Sequence, residues 1–154
     1  MSMKGNEEGP SITKGGLAVD DRGTLRFVND FNFDGVKRFY MVENHAAGFI
    51  RAWHGHRHEA KYVYVVSGAA LVVAVRLEDA RLDLPIEKAF RTVVSDSAPA
   101  IVRIPGGYYN GFKTLTPGCR VIFFSDASLE ESKSDDLRLP FEAVNEKIWE
   151  IAYR

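Results

Sequence analysis

Apolar and polar positions alternate along this chain in short runs rather than in helical stripes. Residues 24–28, 36–42, 49–56, 61–67, 69–77, 89–94, 100–104, 111–115 and 120–125 are rich in β-branched and aromatic side chains. That composition suits a pleated, half-buried strand. Asp20-Asp-Arg-Gly23 has the residues of a turn, since Asp bonds its own backbone and Gly accepts unusual dihedrals. It separates Leu17-Ala-Val from the strand at 24–28, and residues 29–35 form a loop with buried aromatic anchors. Turn signals recur about every 8–12 residues, which predicts an all-β sandwich or barrel. The end of the chain departs from this pattern. Ser128-Leu-Glu-Glu131 has the form of a capping box, followed by turns too polar for a long helix. Residues 135–141 read as extended, and 141–152 as a short helix or a final strand.

Composition narrows the picture. A chain of 154 residues is most simply one domain with one buried core. Its organisation is expected to be a flexible N-terminal arm over residues 1–16, polar and Gly-rich, followed by a single domain over 17–154. A formal charge of −1 argues against non-specific nucleic-acid binding, which needs a basic surface. There is no apolar run of transmembrane length and no signal-peptide core at the N-terminus, so no membrane association is expected. The single cysteine, Cys119, allows no internal disulfide, suits a cytoplasmic setting and reads as a packing residue.

Candidate chemistry concentrates at residues 51–68, Arg51-Ala-Trp-His-Gly-His-Arg-His-Glu-Ala-Lys61 leading into an apolar strand that ends at Gly68. His54, His56 and His58 lie here, and His45 is just upstream. Histidine titrates near neutrality, so such a cluster serves acid–base work or metal ligation. His-x-His before a strand, with Pro-x-Gly further on, resembles the cupin family of double-stranded β-helix, or jelly-roll, barrels. That family's metal-binding motifs carry a glutamate before the first turn glycine and a histidine after the second. The corresponding positions here are Lys61 and Asn110. A charged lysine has no lone pair to coordinate and repels a cation. Two histidines alone make a poor zinc or iron site. No metal or other cofactor is therefore expected. Without one, His54, His56, Lys61, Asn110, Tyr108 and Tyr109 share a cavity in the cupin register. A neutral histidine beside a lysine suits removal of a proton next to a ketone, with the ammonium stabilising the enolate.

More specifically, the chain between about residues 20 and 126 resembles the sugar-nucleotide cupins: dTDP-4-dehydrorhamnose 3,5-epimerase and the dTDP-sugar 3,4-ketoisomerases. Asp21-Arg-Gly23 resembles the epimerase's Asp-x-Arg-Gly turn, and Asn44-His45 its Asn-His-Ser segment. Arg51-Ala-Trp-His54 stands for Arg-Gly-Leu-His, and Glu59-Ala-Lys61 for Gln-Ala-Lys. Ile104-Pro-Gly-Gly-Tyr-Tyr-Asn-Gly-Phe112 stands for Ile-Pro-x-Gly-Phe-Ala-His-Gly-Phe. The resemblance implies a metal-independent epimerase or isomerase acting on a nucleoside-diphosphate 4-keto-6-deoxyhexose, in surface-polysaccharide or deoxysugar biosynthesis. It implies His54 as base, Lys61 as enolate-stabilising cation, and Arg22 and Arg51 as diphosphate contacts, with Asn44, His56, Asn110 and Tyr108 around the substrate. It further implies a homodimer in which an N-terminal strand, here within residues 17–28, crosses to its neighbour.

The pattern also breaks. The epimerase's acid tyrosine on its late strand is replaced by phenylalanine in Val121-Ile-Phe-Phe-Ser125, and a phenyl ring gives no proton. Val36-Lys-Arg-Phe-Tyr40 and His54-Gly-His56 resemble the ketoisomerases instead, which carry Gln where this chain has Lys61. Tyr40, Tyr108 or Tyr109 then supplies the proton. Asp135 and Asp136 are candidates for the carboxylate that orients His54. Two other readings stand beside catalysis: a non-catalytic cupin that binds a nucleotide sugar, and a metal-dependent cupin with Glu59 as a third ligand.

Overall fold

The structure, a computed structural model, describes residues 8–154. The strand pattern of the sequence is realised as two five-stranded antiparallel sheets and a two-stranded ribbon. The strands are β1 (Ser11–Lys14), β2 (Gly16–Asp20), β3 (Gly23–Phe27), β4 (Arg38–Glu43), β5 (Ile50–His56), β6 (Lys61–Ser67), β7 (Ala69–Arg76), β8 (Phe90–Ser95), β9 (Ala100–Ile104), β10 (Tyr108–Thr114), β11 (Arg120–Ser125) and β12 (Leu137–Arg138). The first sheet runs β1-β9-β6-β11-β4 and the second β12-β5-β10-β7-β8, while among the described residues β2 and β3 pair only with each other.

Alternation along each strand sorts side chains between two cores. Val63, Val65, Ala70, Val72, Ala74, Val102, Phe112, Val121 and Phe123 fill the space between the sheets. Trp53, Leu71, Val73 and Val75 emerge on the outer face of the second sheet, where Leu84, Val144, Ile148 and Trp149 cover them. The apolar run of β7 serves both cores at once, which is why it shows no polar face. Cys119 is buried at the edge of the first core. Among the described residues no helix is long and apolar enough to cross a membrane.

Two local features differ from the expectation, and a third matches it. Of the arm assigned to residues 1–16, residues 1–7 lie outside the described residues, but Ser11–Lys14 pairs along β9 with Ile12 opposite Val102. An edge strand of this kind is held by backbone bonds, which the polar composition does not reveal. Strand β10 starts at Tyr108, earlier than the apolar pattern predicts, so the Tyr-Tyr-Asn segment lies in the sheet. The capping box forms as expected, with Ser128 Oγ accepting from Glu131 N and Glu131 Oε1 accepting from Ser128 N. It opens only the short helix α1 (Leu129–Lys133). Beyond it the chain is extended through β12 and ends in 3-10 turns at Phe141–Ala143 and Glu146–Trp149.

Candidate active site

At one end of the barrel the two sheets part around a cavity of about 460 Å³. Arg38, Tyr40, Val42, Lys61 and Phe123 form the wall contributed by the first sheet. Arg51, His54, His56, Asn110, Phe112 and Arg138 come from the second sheet, and Leu129, Ser132 and Lys133 of α1 close the side.

Strand β5 brings both Arg51 and His54 to the cavity although they are three residues apart, a spacing that puts side chains of a regular strand on opposite faces. The register explains it. Asn110 pairs with His54 and Phe112 with Arg51, so two steps on β10 match three on β5. The extra residue is a bulge, which turns the strand enough to re-aim a side chain. Gly111 lies at that bulge, and a Cβ there would sit 2.6 Å from the Arg51 carbonyl oxygen.

His54 is half-buried, and its pKa is held below the usual histidine value of 6.5. Burial is the main cause, reinforced by the positive charges of Arg138 and Lys61, while Asp136 pulls the other way. The ring is therefore neutral near pH 7 and able to accept a proton. His56 is buried, with Nδ1 2.6 Å from the carbonyl oxygen of Asp135. A carbonyl only accepts, so Nδ1 carries the hydrogen, and in the neutral ring Nε2 is the free acceptor. That Nε2 is buried with no protein partner among the described residues.

Opposite them, the buried Lys61 donates from Nζ to Tyr40 Oη at 2.7 Å. The Tyr40 ring stacks on Phe123, with centroids 5.2 Å apart and planes 11° apart. Phe123 is the residue facing Tyr40 across the β4–β11 ladder. A phenol thus stands on β4 beside the phenyl ring that occupies β11.

Not every expected site residue reaches the cavity. Arg51 does, and Asn44 stands behind it, its Oδ1 accepting from Arg51 Nε at 2.7 Å. Asn44 orients the guanidinium rather than lining the cavity, and the terminal nitrogens of Arg51 remain donors for an anion. Arg22 lies on the exposed ribbon turn, paired with Asp20 at 2.5 Å, away from this chain's cavity. Tyr108 packs in the first core with Arg76 over its ring at 5.2 Å. Tyr109 points to the outer face of the second sheet and packs in the other core. Neither tyrosine lines the cavity: Tyr109 faces the other side of the strand from Asn110, and Tyr108, on the same side as Asn110, is taken up by the first core. His58 is exposed and lines a separate groove.

Several participants escaped sequence reasoning. Glu59 lies in the loop between β5 and β6. It is buried, and its Oε2 accepts from Ser125 Oγ at 2.5 Å. It also lies 3.5 Å from Arg38 Nη2, 3.6 Å from Lys61 Nζ and 3.4 Å from His56 Nδ1. Asp135 does not orient His54. Its carboxylate accepts from the backbone N–H groups of Arg57, His58 and Glu59 at 2.7, 2.9 and 3.0 Å. Burial raises its pKa, but those three bonds outweigh burial and hold it below 3.8. Asp136 lines the cavity and accepts from Arg138 Nε at 3.2 Å. The pairing of β12 with β5 sets Arg138 opposite His54, a contact with no local sequence signal. Among the described residues, no group of three His, Cys, Asp or Glu side chains converges as a metal site would require.

The sequence matches no family model and no curated protein. Solved structures do match. The rmlC epimerase of Mycobacterium tuberculosis is 20% identical, with a TM-score of 0.67 over 87% of this chain and 70% of that one. ChmJ, a 3'-monoepimerase from Streptomyces bikiniensis solved with dTDP-quinovose, is 19% identical, with a TM-score of 0.69 over 87% and 71%. QdtA, a sugar 3,4-ketoisomerase from Thermoanaerobacterium thermosaccharolyticum solved with TDP, is 16% identical, with a TM-score of 0.66 over 86% and 90%. The chain therefore has the jelly-roll fold of these proteins, the groups that the sequence resemblance pointed to.

Proposed function

We propose that this protein is a sugar-nucleotide epimerase or isomerase. Its substrate is a nucleoside-diphosphate 4-keto-6-deoxyhexose of surface-polysaccharide or deoxysugar biosynthesis, and it uses no metal. One observation carries the reading: His54, held neutral by burial and neighbouring cations, faces the Lys61–Tyr40 pair across a single cavity. His54 takes the proton from the carbon next to the ketone. The bonding pair moves to the ketone oxygen, and the Lys61 ammonium stabilises the enolate. Tyr40 returns a proton from the opposing wall, either to the same carbon, which inverts it, or to the former carbonyl carbon of the enediolate, whose hydroxyl proton passes to the neighbouring oxygen so that the ketone moves. The tyrosine missing from β11 is thus replaced by one on β4. Solvent then resets His54 and Tyr40.

Arg51 supplies a fork for the diphosphate, and Lys133 and Arg138 add positive charge around the cavity. His56 Nε2 and Asn110 are hydrogen-bonding partners for the sugar. The working form is a cytoplasmic homodimer. Val19 and Leu25 on the ribbon are 68% and 64% exposed, and a two-stranded ribbon is marginal without a surface to cover it. Crossing to a second copy gives it that surface and brings Arg22 toward the neighbour's substrate.

The test is incubation with 4-keto-6-deoxy sugar nucleotides in deuterated water, followed by NMR. Deuterium at the carbon next to the ketone, together with a new isomer, is expected. Binding by calorimetry with neither exchange nor isomer, across several nucleotides, would leave a non-catalytic binding protein and refute the enzyme.

A further inference from the structure

Beside the cavity lies a buried carboxylate that the proton-transfer scheme does not use. Glu59 is a carboxylate with a side chain 1% exposed, between Arg38 and Lys61 and against His56. Ser125, itself fully buried, spends its hydroxyl hydrogen on Oε2. Oε1 accepts no hydrogen bond among the described residues, and the nearest ring nitrogen, His56 Nδ1, already donates to Asp135. Two cations and one carboxylate leave a surplus of one positive charge at the wall. An enolate carries one negative charge, equal and opposite to that surplus at the wall.

We infer that Glu59 is a positioning residue that fixes the Lys61 ammonium toward Tyr40 and sets the wall's charge to match a single enolate. The inference rests on the proposed reaction for its purpose but on the buried cluster for its physics. Without a carboxylate, Arg38 and Lys61 face each other uncompensated in a poorly solvated place, and the ammonium gives up its proton more readily. A neutral amine neither stabilises the enolate nor holds the phenol in its place. Both an excess and a lack of positive charge are thereby avoided by one buried acid.

The test separates the cluster from the reaction. Lysine labelled with 13C and 15N is introduced into the full chain, and the Lys61 signal is identified by its loss in Lys61→Met. The groups that bear on this signal are Arg38 and Tyr40 on β4, His54 and His56 on β5, and Asp136 and Arg138 from the β12 side. They are unchanged between the parent and Glu59→Gln. In Glu59→Gln, Lys61 is expected to release its proton at a pH lower than in the parent by about one unit or more. Arg38→Gln, which removes a cation from the rim, is expected to move the same transition upward. Turnover in Glu59→Gln should fall about 10–100-fold with KM little changed, and the alkaline limb of its pH–rate profile should move down with the Lys61 signal. Superimposable Lys61 titrations in the parent, Glu59→Gln and Arg38→Gln would overturn the inference. Should Glu59→Gln fail to fold, Arg38→Gln decides: an upward shift supports the inference, and no shift or a downward one overturns it. An inactive parent with shifted titrations would refute the reaction and leave the cluster's role intact.

Discussion

Replacing Tyr40 by phenylalanine isolates the proton-return step. The substitution removes one oxygen and keeps the ring stacked on Phe123. The lost oxygen accepts from Lys61 at 2.7 Å, so the variant forfeits a hydrogen bond to a charged group, worth about 1.5–3 kcal/mol. For a chain of this size that lowers Tm by about 3–12 °C, which circular dichroism resolves while leaving the protein folded at 25 °C. Loss of a general acid costs about 10²–10⁴ in rate, or roughly 3–5 kcal/mol of barrier. The two effects separate in the isotope assay. Because His54 stands on the opposing wall, Tyr40→Phe should still remove the proton and wash deuterium into the substrate with its configuration unchanged. Formation of the isomer should fall by the full factor. An isomer formed at near-parental rate, or complete loss of exchange in a folded variant, would refute Tyr40 as the donor.

Other outcomes follow from the same geometry. His54→Asn should abolish exchange while nucleotide-sugar binding by calorimetry is retained, and the parent's acid limb should lie below pH 6.5, the ordinary histidine value. Folding stability at that ring runs the same way. Between the depressed folded pKa and 6.5 only the unfolded chain binds the proton, so this contribution is complete above pH 6.5 and shrinks as pH falls toward the folded value. Comparing Tm against pH for the parent and His54→Asn checks the sign. Asp135→Ala strands three backbone donors and should cost about 2–4 kcal/mol in urea unfolding. Gly111→Ala forces a Cβ to within 2.6 Å of the Arg51 carbonyl. It should raise KM for the nucleotide sugar more than it lowers kcat, because Arg51 is displaced before His54.

Most of the barrel was legible because alternation and turn residues act locally. Strands β3 to β9 and β11 fall close to where apolar content and glycine place them. The presence of His54, Lys61 and Arg51 around one cavity was legible because they share one stretch of sequence. The rest depends on pairings between distant segments. Glu59 is held by Ser125 and Arg38, Asp135 by the backbone of 57–59, and Arg138 by the short β12–β5 ladder. The bulge is equally silent in sequence, although it decides that Arg51 and His54 share a cavity. Tyr108 and Tyr109 were misplaced for a related reason. Aromatic type gives no parity: the pairing of Asn110 with His54 turns Tyr109 outward, while Tyr108 faces inward but is spent in the first core.

The division of labour along β5 has a consequence for how this protein changes. Trp53 and Gly55 serve the outer core, where Trp53 packs against Trp149 and a Cβ on Gly55 would meet the Tyr109 ring at 2.6 Å. His54 and His56 serve the cavity. Packing constraints and chemical constraints therefore fall on alternate residues of one strand. A library that randomises only the cavity-facing positions of β4, β5 and β10 leaves the outer core intact. Such a library should yield mostly folded members, so the same scaffold can exchange the lining of its cavity without first losing its shape.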